Sequence, residues 1–458
     1  MPFPSRFSSV AARLSVGLPL SCSLLVLPLH TFAQSKSVNQ VVKPPLALAY
    51  IDVATSASDM PGGNMMGAAM QGGQSGGLLG ALGSLGGMGG NRGGGDAYAH
   101  GNVFGSTHGM GFGNGKYVDV SVYASKNKAL AEAQQAIPPA MHMGDVLHLV
   151  APVPDKPVPV VSDDSPVEPT YQKPKGKISL YWGCGDSIRP GQPRSIDVST
   201  ASPADYAKFF VMRGKTTKGA RSQPGHPAWP NKVDDKRVPD NASLQGQHSF
   251  SGNGLPDSFR VTLGAAQDLM PPIQLQQTKK DGAIALAWQS IPYARGYFIS
   301  VMGGQSMGGD SGEMIIWTSS ELPDFGFGLM DYQSNSDVDK WINEKVILPA
   351  NTTVCTVPKG IFGDHGGGML RMIAYGPDSY FAYPPRPDDP KIAWEPDWQA
   401  KVRVKSGFAS ILGGMGNMGG AREQGMQGQT PQSPPQQRPA EEGNKLNPAE
   451  LLKGLFGR

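Results

Sequence analysis

Between Ala57 and Gly115 the chain is written mostly in glycine, methionine, serine, asparagine and glutamine, as in "MPGGNMMGAAMQGGQSGGLLGALGSLGGMGGNRGGG". Glycine loses more backbone freedom on ordering than any other residue, and little in this stretch can be buried in return. The stretch is therefore read as a disordered Gly/Met-rich insertion, residues 57–115, and not as a domain. It breaks up a short segment of stronger patterning. "PPLALAYIDVA" (Pro44 to Ala54) reads as a strand. In "YVDVSVYA" (Tyr117 to Ala124), Val118, Val120 and Val122 alternate with polar residues, the period of a half-buried strand. "NKALAEAQQAI" (Asn127 to Ile137) consists of strong helix formers, and "DVLHLVAP" (Asp145 to Pro152) is again a strand. Residues 34–150 are expected to form a small α+β unit around the insertion.

Glycine (61) and proline (41) are abundant along all 458 residues, and charged residues make up only 17%. Low-complexity segments are expected at that composition. Residues 151–176 are a proline-rich linker. Residues 407–446 are a Gly/Pro/Gln-rich tail, read as disordered. The last residues, 447–458, have the capping signals Asn447 and Pro448 and an apolar face of Leu451, Leu452, Leu455 and Phe456. That pattern suits a short amphipathic docking helix, with at most peripheral membrane contact. The net charge of +3 is small and no basic run exceeds a pair, so nucleic acid is excluded as the expected partner.

The N-terminus places Arg6 and Arg13 before an apolar run from Leu14 to Leu29, followed by Thr31-Phe32-Ala33. This is the pattern of a secretory signal over residues 1–33, with cleavage between Ala33 and Gln34. An uncleaved anchor fits less well, because Gly17, Pro19 and Pro28 interrupt the run. Cys22 lacks a proper lipobox. Removal of Cys22 leaves Cys184 and Cys355, and an even count in an oxidising compartment favours a disulfide. The bridge would close roughly 170 residues and contribute roughly 4–5 kcal/mol in the chain-entropy limit.

Residues 177–264 hold several short strands between Pro/Gly turns, and "SPADYAKFF" is a helix capped by Ser202. From residue 271 the alternation sharpens. In "AIALAWQSIPYARGYFISVMG", Ile284, Leu286 and Trp288 point one way, then Tyr297, Ile299 and Val301 do. A tryptophan ending one strand, then "P-x-A-x-G-Y" opening the next, resembles the B and C strands of fibronectin type III and related immunoglobulin-like sandwiches. The resemblance implies a β-sandwich over residues 271–406, and a sandwich implies no particular activity. "SDVDKWINE" (Ser336 to Glu344) reads as a short helix. The fold class expected is mainly β, with tandem sandwich-like domains after the α+β unit. The whole chain also resembles uncharacterised exported proteobacterial proteins, which implies no function.

Candidate chemistry is sparse. Ser75 and Ser306 satisfy G-x-S-x-G, and the setting of Ser311 resembles the G-D-S-G of chymotrypsin-type proteases. None lies between a strand and a helix, and no matching histidine motif precedes them. Cys184 with His248 is a second nucleophile candidate, weaker than the disulfide. The 20 methionines cluster in places with histidine, giving weak metal candidates in Met65, Met66, Met70, His100, His108, Met141, His142 and Met143. Thioether and imidazole ligands suit copper. Trp182, Trp288, Trp317 and Trp341 read as core, and Trp394 and Trp398 as a core lid or a sugar-stacking end. The expectation is a non-enzymatic, exported protein, periplasmic or on the cell surface, with no cofactor. Its role would be binding or envelope assembly, with another envelope protein or a glycan as partner. Periplasmic copper handling and a secreted hydrolase stand behind that reading.

Overall fold

Alternation decides the centre of the molecule. The computed structural model describes residues 40–60, 102–108, 113–153, 176–306, 312–363 and 367–413. The N-terminal part holds β1 (Ala47–Ser58), β2 (Gly115–Ala124), β3 (Glu132–Ala136) and β4 (Val146–Val150). Next come β5 (Gly176–Trp182), β6 (Arg194–Asp197), helix α1 (Pro203–Phe209), β7 (Ala228–Trp229), β8 (Gly246–Ser251) and β9 (Arg260–Leu263). The remainder is β10 (Leu275–Lys280), β11 (Ala283–Trp288), β12 (Gly296–Ser306), β13 (Gly312–Thr318), helix α2 (Asn335–Asn343), β14 (Leu348–Pro349), β15 (Val354–Val357), β16 (Gly368–Tyr383) and β17 (Trp398–Ile411). The protein is mainly β, as its sequence predicts.

Thirteen strands form one continuous path, β6-β5-β13-β12-β16-β17-β1-β2-β7-β4-β3-β8-β9, and β14 pairs with β12. A second sheet has the order β10-β11-β15. Two pairings in the large sheet are parallel, β1 with β17 and β5 with β13. β1 thus lies between β2 and β17, so the first strands and the last share one sheet across the ranges expected as separate units.

Ile51, Val53, Val118, Val120, Val402 and Val404 point to one face of the large sheet. They share a single apolar core with Tyr297, Ile299 and Val301 of β12 and with Leu286, Trp288, Cys355 and Val357 of the small sheet. Each such side chain contributes about 1.5–3 kcal/mol when fully buried.

The expected helix at Asn127–Ile137 is a correction. The chain turns there and then forms β3, with Ala133 and Gln135 inward and Glu132 and Gln134 outward. Helix propensity is a weak preference, worth tenths of a kcal/mol per residue, and pairing with β4 and β8 on either side overrides it. The N-terminal region is therefore not α+β: among its described residues the helical elements are short 3₁₀ turns at Ser106–His108 and Pro139–Met141. α1 forms as its capping box requires, Ser202 and Asp205 each accepting from the other's backbone N–H. α2 is capped by Ser334.

Cys184 and Cys355 form a disulfide with a Cα–Cα distance of 5.2 Å. The flanking glycines explain themselves. Gly183 has φ +90°, and a Cβ there would run into the Arg189 guanidinium. The Gly185 N–H donates to the Thr356 carbonyl at 2.9 Å, so the loop after β5 hydrogen-bonds to β15. The bridge fastens the large sheet to the small one across 171 positions. The C184A/C355A double variant should lose about 2–5 kcal/mol of stability in urea unfolding. Reduction of the wild type should reproduce that loss.

Candidate functional site

The other face of the large sheet carries charge where a strand would ordinarily meet water. On β17, Lys401, Arg403 and Lys405 alternate with the apolar residues, yet they are only 6%, 1% and 4% exposed. In register, Asp378 of β16, Arg403, Asp52 of β1 and Asp119 of β2 form one row across four strands. Asp52 and Asp119 are directly opposed, a repulsive pairing unless each is compensated.

Arg403 compensates Asp52. Its Nε donates to Asp52 Oδ1 at 2.7 Å and its Nη2 donates to Oδ2. The Ala220 N–H donates to Asp52 Oδ2 at 2.9 Å. Burial alone would raise the Asp52 pKa, but Arg403 and His108 bring it below the ordinary carboxylate value. Asp119 is served differently. Its carboxylate accepts from the Gly105 N–H at 3.1 Å, from the Thr107 N–H at 3.3 Å and from the Thr107 hydroxyl. Burial dominates there and pushes its pKa up to about 6.

A third carboxylate closes the cluster from above. Asp331 accepts from Lys405 Nζ at 2.7 Å and faces His108 Nδ1 at 2.7 Å. Burial opposes its charge, and Lys405 and His108 more than reverse that, holding the carboxyl far below its usual range. Burial likewise lowers the His108 pKa, but hydrogen bonds to Asp331 and Asp52 lift it to about 9. Tyr332 caps the centre: its hydroxyl donates to the Val53 carbonyl at 3.0 Å. Arg403 and Lys405 approach its ring to 4.2 and 4.6 Å. Arg371 is also buried here, its pKa pushed down by burial to about 10. A Cβ on Gly219 would collide with the Arg403 guanidinium, so glycine lets the loop above the pair close down.

Acid–base residues with displaced pKa values are the usual mark of a reactive site. Here the groups are spent on one another, and Asp52, Asp119, Arg403 and Lys405 are closed over as well. The Thr217 carbonyl accepts a further bond from Arg403, and the Thr216 hydroxyl donates one to Asp331, so the lid itself consumes the charges.

The residues singled out in the sequence lie elsewhere or act differently. His108 is committed to carboxylates, and the segment 102–108 is tied down inside the region expected to be a disordered insertion. Met141 and Met143 are buried in the apolar core while His142 is exposed, so the three do not converge on a metal. Among the described residues, no group of three His, Cys, Asp or Glu could hold a metal ion. Met65, Met66, Met70 and His100 lie outside the described residues, as do Ser75, Ser311, the signal with Ala33 and Gln34, the linker 154–175, and the terminal Leu451, Leu452, Leu455 and Phe456. Ser306 ends β12, which pairs directly with β13, so no helix follows it as a nucleophile elbow requires. His248 is a satisfied core histidine. It receives the Gln135 amide on Nδ1 at 3.0 Å and donates from Nε2 to the Leu244 carbonyl at 2.7 Å. Trp398 is buried and stacked on Phe259, and Trp394 donates to the Pro384 carbonyl. No known family model matches the chain, and no curated protein does.

The ion pair yields a stability prediction. Arg403→Met leaves Asp52 buried without its partner and should cost about 3–5 kcal/mol in urea unfolding, while the D52N/R403M double variant should recover much of it. The pH dependence follows from His108, which faces Asp52, Asp119, Asp331, Arg403 and Lys405. Its folded pKa of about 9 exceeds its ordinary 6.5. Its contribution is therefore complete below about 6.5 and lost as pH rises through about 9. Buried Lys405, with a lowered pKa, acts in the opposite sense on the alkaline side. The difference in unfolding free energy between wild type and H108Q isolates the histidine, and should shrink between pH 6.5 and 9.5.

Proposed function

We propose that the chain is an exported, non-catalytic binding or envelope-assembly protein. One observation carries the non-catalytic part. In the strongest acid–base constellation Asp52, Arg403 and Lys405 are buried, and Asp331 and His108, which keep 20% and 26% side-chain exposure, are paired with each other and with those buried groups. A substrate would have to displace the ion pairs that hold the lid.

Export is supported by the bridge between Cys184 and Cys355, which suits an oxidising compartment, together with the signal-like residues 1–33. Among the described residues no helix is long and apolar enough to cross a membrane. The fibronectin type III reading belongs to the same proposal. β10, β11 and β15 face β13, β12, β16 and β17 across a shared core, three strands against four. The ring of Tyr297 meets Trp288 edge-on at 5.5 Å, and its hydroxyl accepts from the Ile291 N–H at 3.0 Å. That contact joins the two residues on which the resemblance rests. Sandwiches of this kind serve binding and spacing roles, and the role comes from surfaces added to them.

The test is a non-reducing peptide map of the full chain expressed in a Gram-negative host, combined with activity-based probes. The expected result is an N-terminus at Gln34 in the envelope fraction, a cross-linked Cys184–Cys355 peptide, and no labelling by serine or cysteine probes. An intact N-terminus with two alkylatable thiols would overturn the export reading. Stoichiometric labelling of the folded protein would overturn the non-catalytic one.

A further inference from the structure

The polar face of the large sheet is sealed over only part of its length. β16 changes face parity at Gly376-Pro377, where its register against β17 shifts between Tyr375 and Asp378. A Cβ on Gly376 would meet the Val404 carbonyl, and proline tolerates such a bulge because no ladder donor is needed there. Beyond the bulge, even-numbered residues join the charged face. Asp378 completes the buried row, and Tyr380 begins the next one.

That next row is open at Tyr380 and half-buried at Tyr50, while Lys401 and Ser121 in it are buried. Tyr380, Lys401, Tyr50 and Ser121 stand side by side on β16, β17, β1 and β2. The row after it is Ala382, Gln399, Leu48 and Tyr123 in the same order. Tyr380 is 70% exposed. Tyr50, Leu48, Gln399 and Tyr123 are half-buried. The His226 ring stacks on Tyr123 at 4.9 Å. Lys401 lies 5.0 Å from the Tyr380 ring and Lys218 lies 5.9 Å from that of Tyr50. Four strands at the usual spacing make a platform about 14 Å wide, enough for a short oligosaccharide.

Charge selects among ligands with rings. The positive charge of Lys401 is taken up by Asp378 at 3.2 Å. Lys218 and Arg221 are exposed at the rim without a carboxylate partner among the described residues. The Arg221 N–H donates to Ser121 at 3.0 Å, which fixes this arginine's backbone beside the row. Lys218 and Arg221 also help to depress the His226 pKa, after burial, so the rim is electropositive. Aromatic faces with two separated cations suit a polymer of sugar rings with occasional carboxylates. They suit a nucleic acid poorly, because its affinity comes from neutralising several phosphates at once.

We propose that this platform, Tyr380, Tyr50 and Tyr123 above the buried Lys401, with Lys218 and Arg221 at its rim, binds an acidic, uronate-bearing polysaccharide. The proposal rests on the reading of the chain as an exported binding protein and names its ligand class.

The experiment is affinity electrophoresis of the full chain in native gels containing polygalacturonate, neutral hydroxyethylcellulose or no polymer, at 0.15 M salt. A labelled single-stranded DNA is run in parallel by mobility shift. Retardation by polygalacturonate alone is expected. Y380A, which changes no charge, should weaken it about fivefold. K218E/R221E, compared with its own mobility in a blank gel, should abolish it. Unchanged thermal midpoints show that both variants fold. Equal mobility with and without polygalacturonate overturns the proposal. So does retardation that Y380A leaves intact, since that is simple polyanion attraction. DNA binding with the same sensitivity to Y380A would also overturn it by assigning the surface to nucleic acid. The N-terminus and the disulfide are mapped on the same preparation. A processed, bridged protein that ignores the polymer therefore removes this site while leaving the export reading intact.

Discussion

The pair between Asp52 and Arg403 fixes the relation between the first and last strands, β1 and β17. β1 and β17 lie side by side in parallel, and the salt bridge spans 351 positions of sequence. Burying two charges costs several kcal/mol each, and their attraction recovers this only with good geometry and further hydrogen bonds. Both conditions are met: the contact is bidentate, and Ala220 and Thr217 take up the remaining capacity. A hydrophobic pair of equal size would hold β1 at least as firmly, but it would not choose a register. A slip by one residue would carry Asp52 into the apolar core and Ile51 onto the charged face, so the pair makes every slipped register costly.

The same charges organise what covers them. The segments 102–108, 213–221 and 329–334 are largely irregular, and irregular backbone near a core must satisfy its polar groups somewhere. Much of that work falls to the cluster. The Gly105 and Thr107 N–H groups go to Asp119, that of Ala220 to Asp52, and the Thr217 carbonyl to Arg403. Asp331 takes the N–H of Tyr332 at 2.9 Å and holds Lys405 and His108 with its other capacity. The ionic residues therefore stand in for the ladder partners that a helix or a strand would have supplied. This is also why their pKa values move in opposite directions. Asp52 beside Arg403, and Asp331 beside Lys405 and His108, are held charged, whereas burial prevails at Asp119, whose direct hydrogen-bond partners are amides and a hydroxyl, and at Asp378 in spite of Lys401.

Period-two alternation made β1, β2, β4, β11 and β12 legible, because a half-buried strand has to alternate. The helix capped by Ser202 was legible for a local reason, as its cap is a side-chain interaction within four residues. The pairing of Cys184 with Cys355 followed from parity once Cys22 was assigned to the signal. β3 was not legible, since its alanines and glutamines favour a helix locally and only two neighbouring strands make them extended. The charged cluster was hidden by its own regularity. "KVRVK" reads as a strand with a wet face, and nothing local says that a loop more than 180 residues away will cover it. A signal did exist in Asp52 and Asp119, single carboxylates in the middle of otherwise apolar strands, which asked for a basic partner. His108 was picked out for thioether neighbours in sequence, whereas its partners in space are carboxylates from distant segments.

One bulge separates the two halves of this face. Without Gly376-Pro377, β16 would present Phe381 and Tyr383 beside β17's cations, and Asp378 and Tyr380 would be shared with different neighbours. With it, Phe381 packs into the core, Asp378 neutralises Lys401, and Tyr380 emerges beside that lysine. The closed half is then electrically self-contained, and its charges need no ligand. The open half is left with aromatic faces, a neutralised lysine and two outlying cations. Recognition on such a surface depends on ring stacking first and charge second, because the cations sit at the rim where water screens them. A bound polymer would lie across β16, β17, β1 and β2 and so bridge the first and last strands that Asp52 and Arg403 already hold together. Ligand binding and the buried ion pair would stabilise the same strand order from adjacent rows of one sheet.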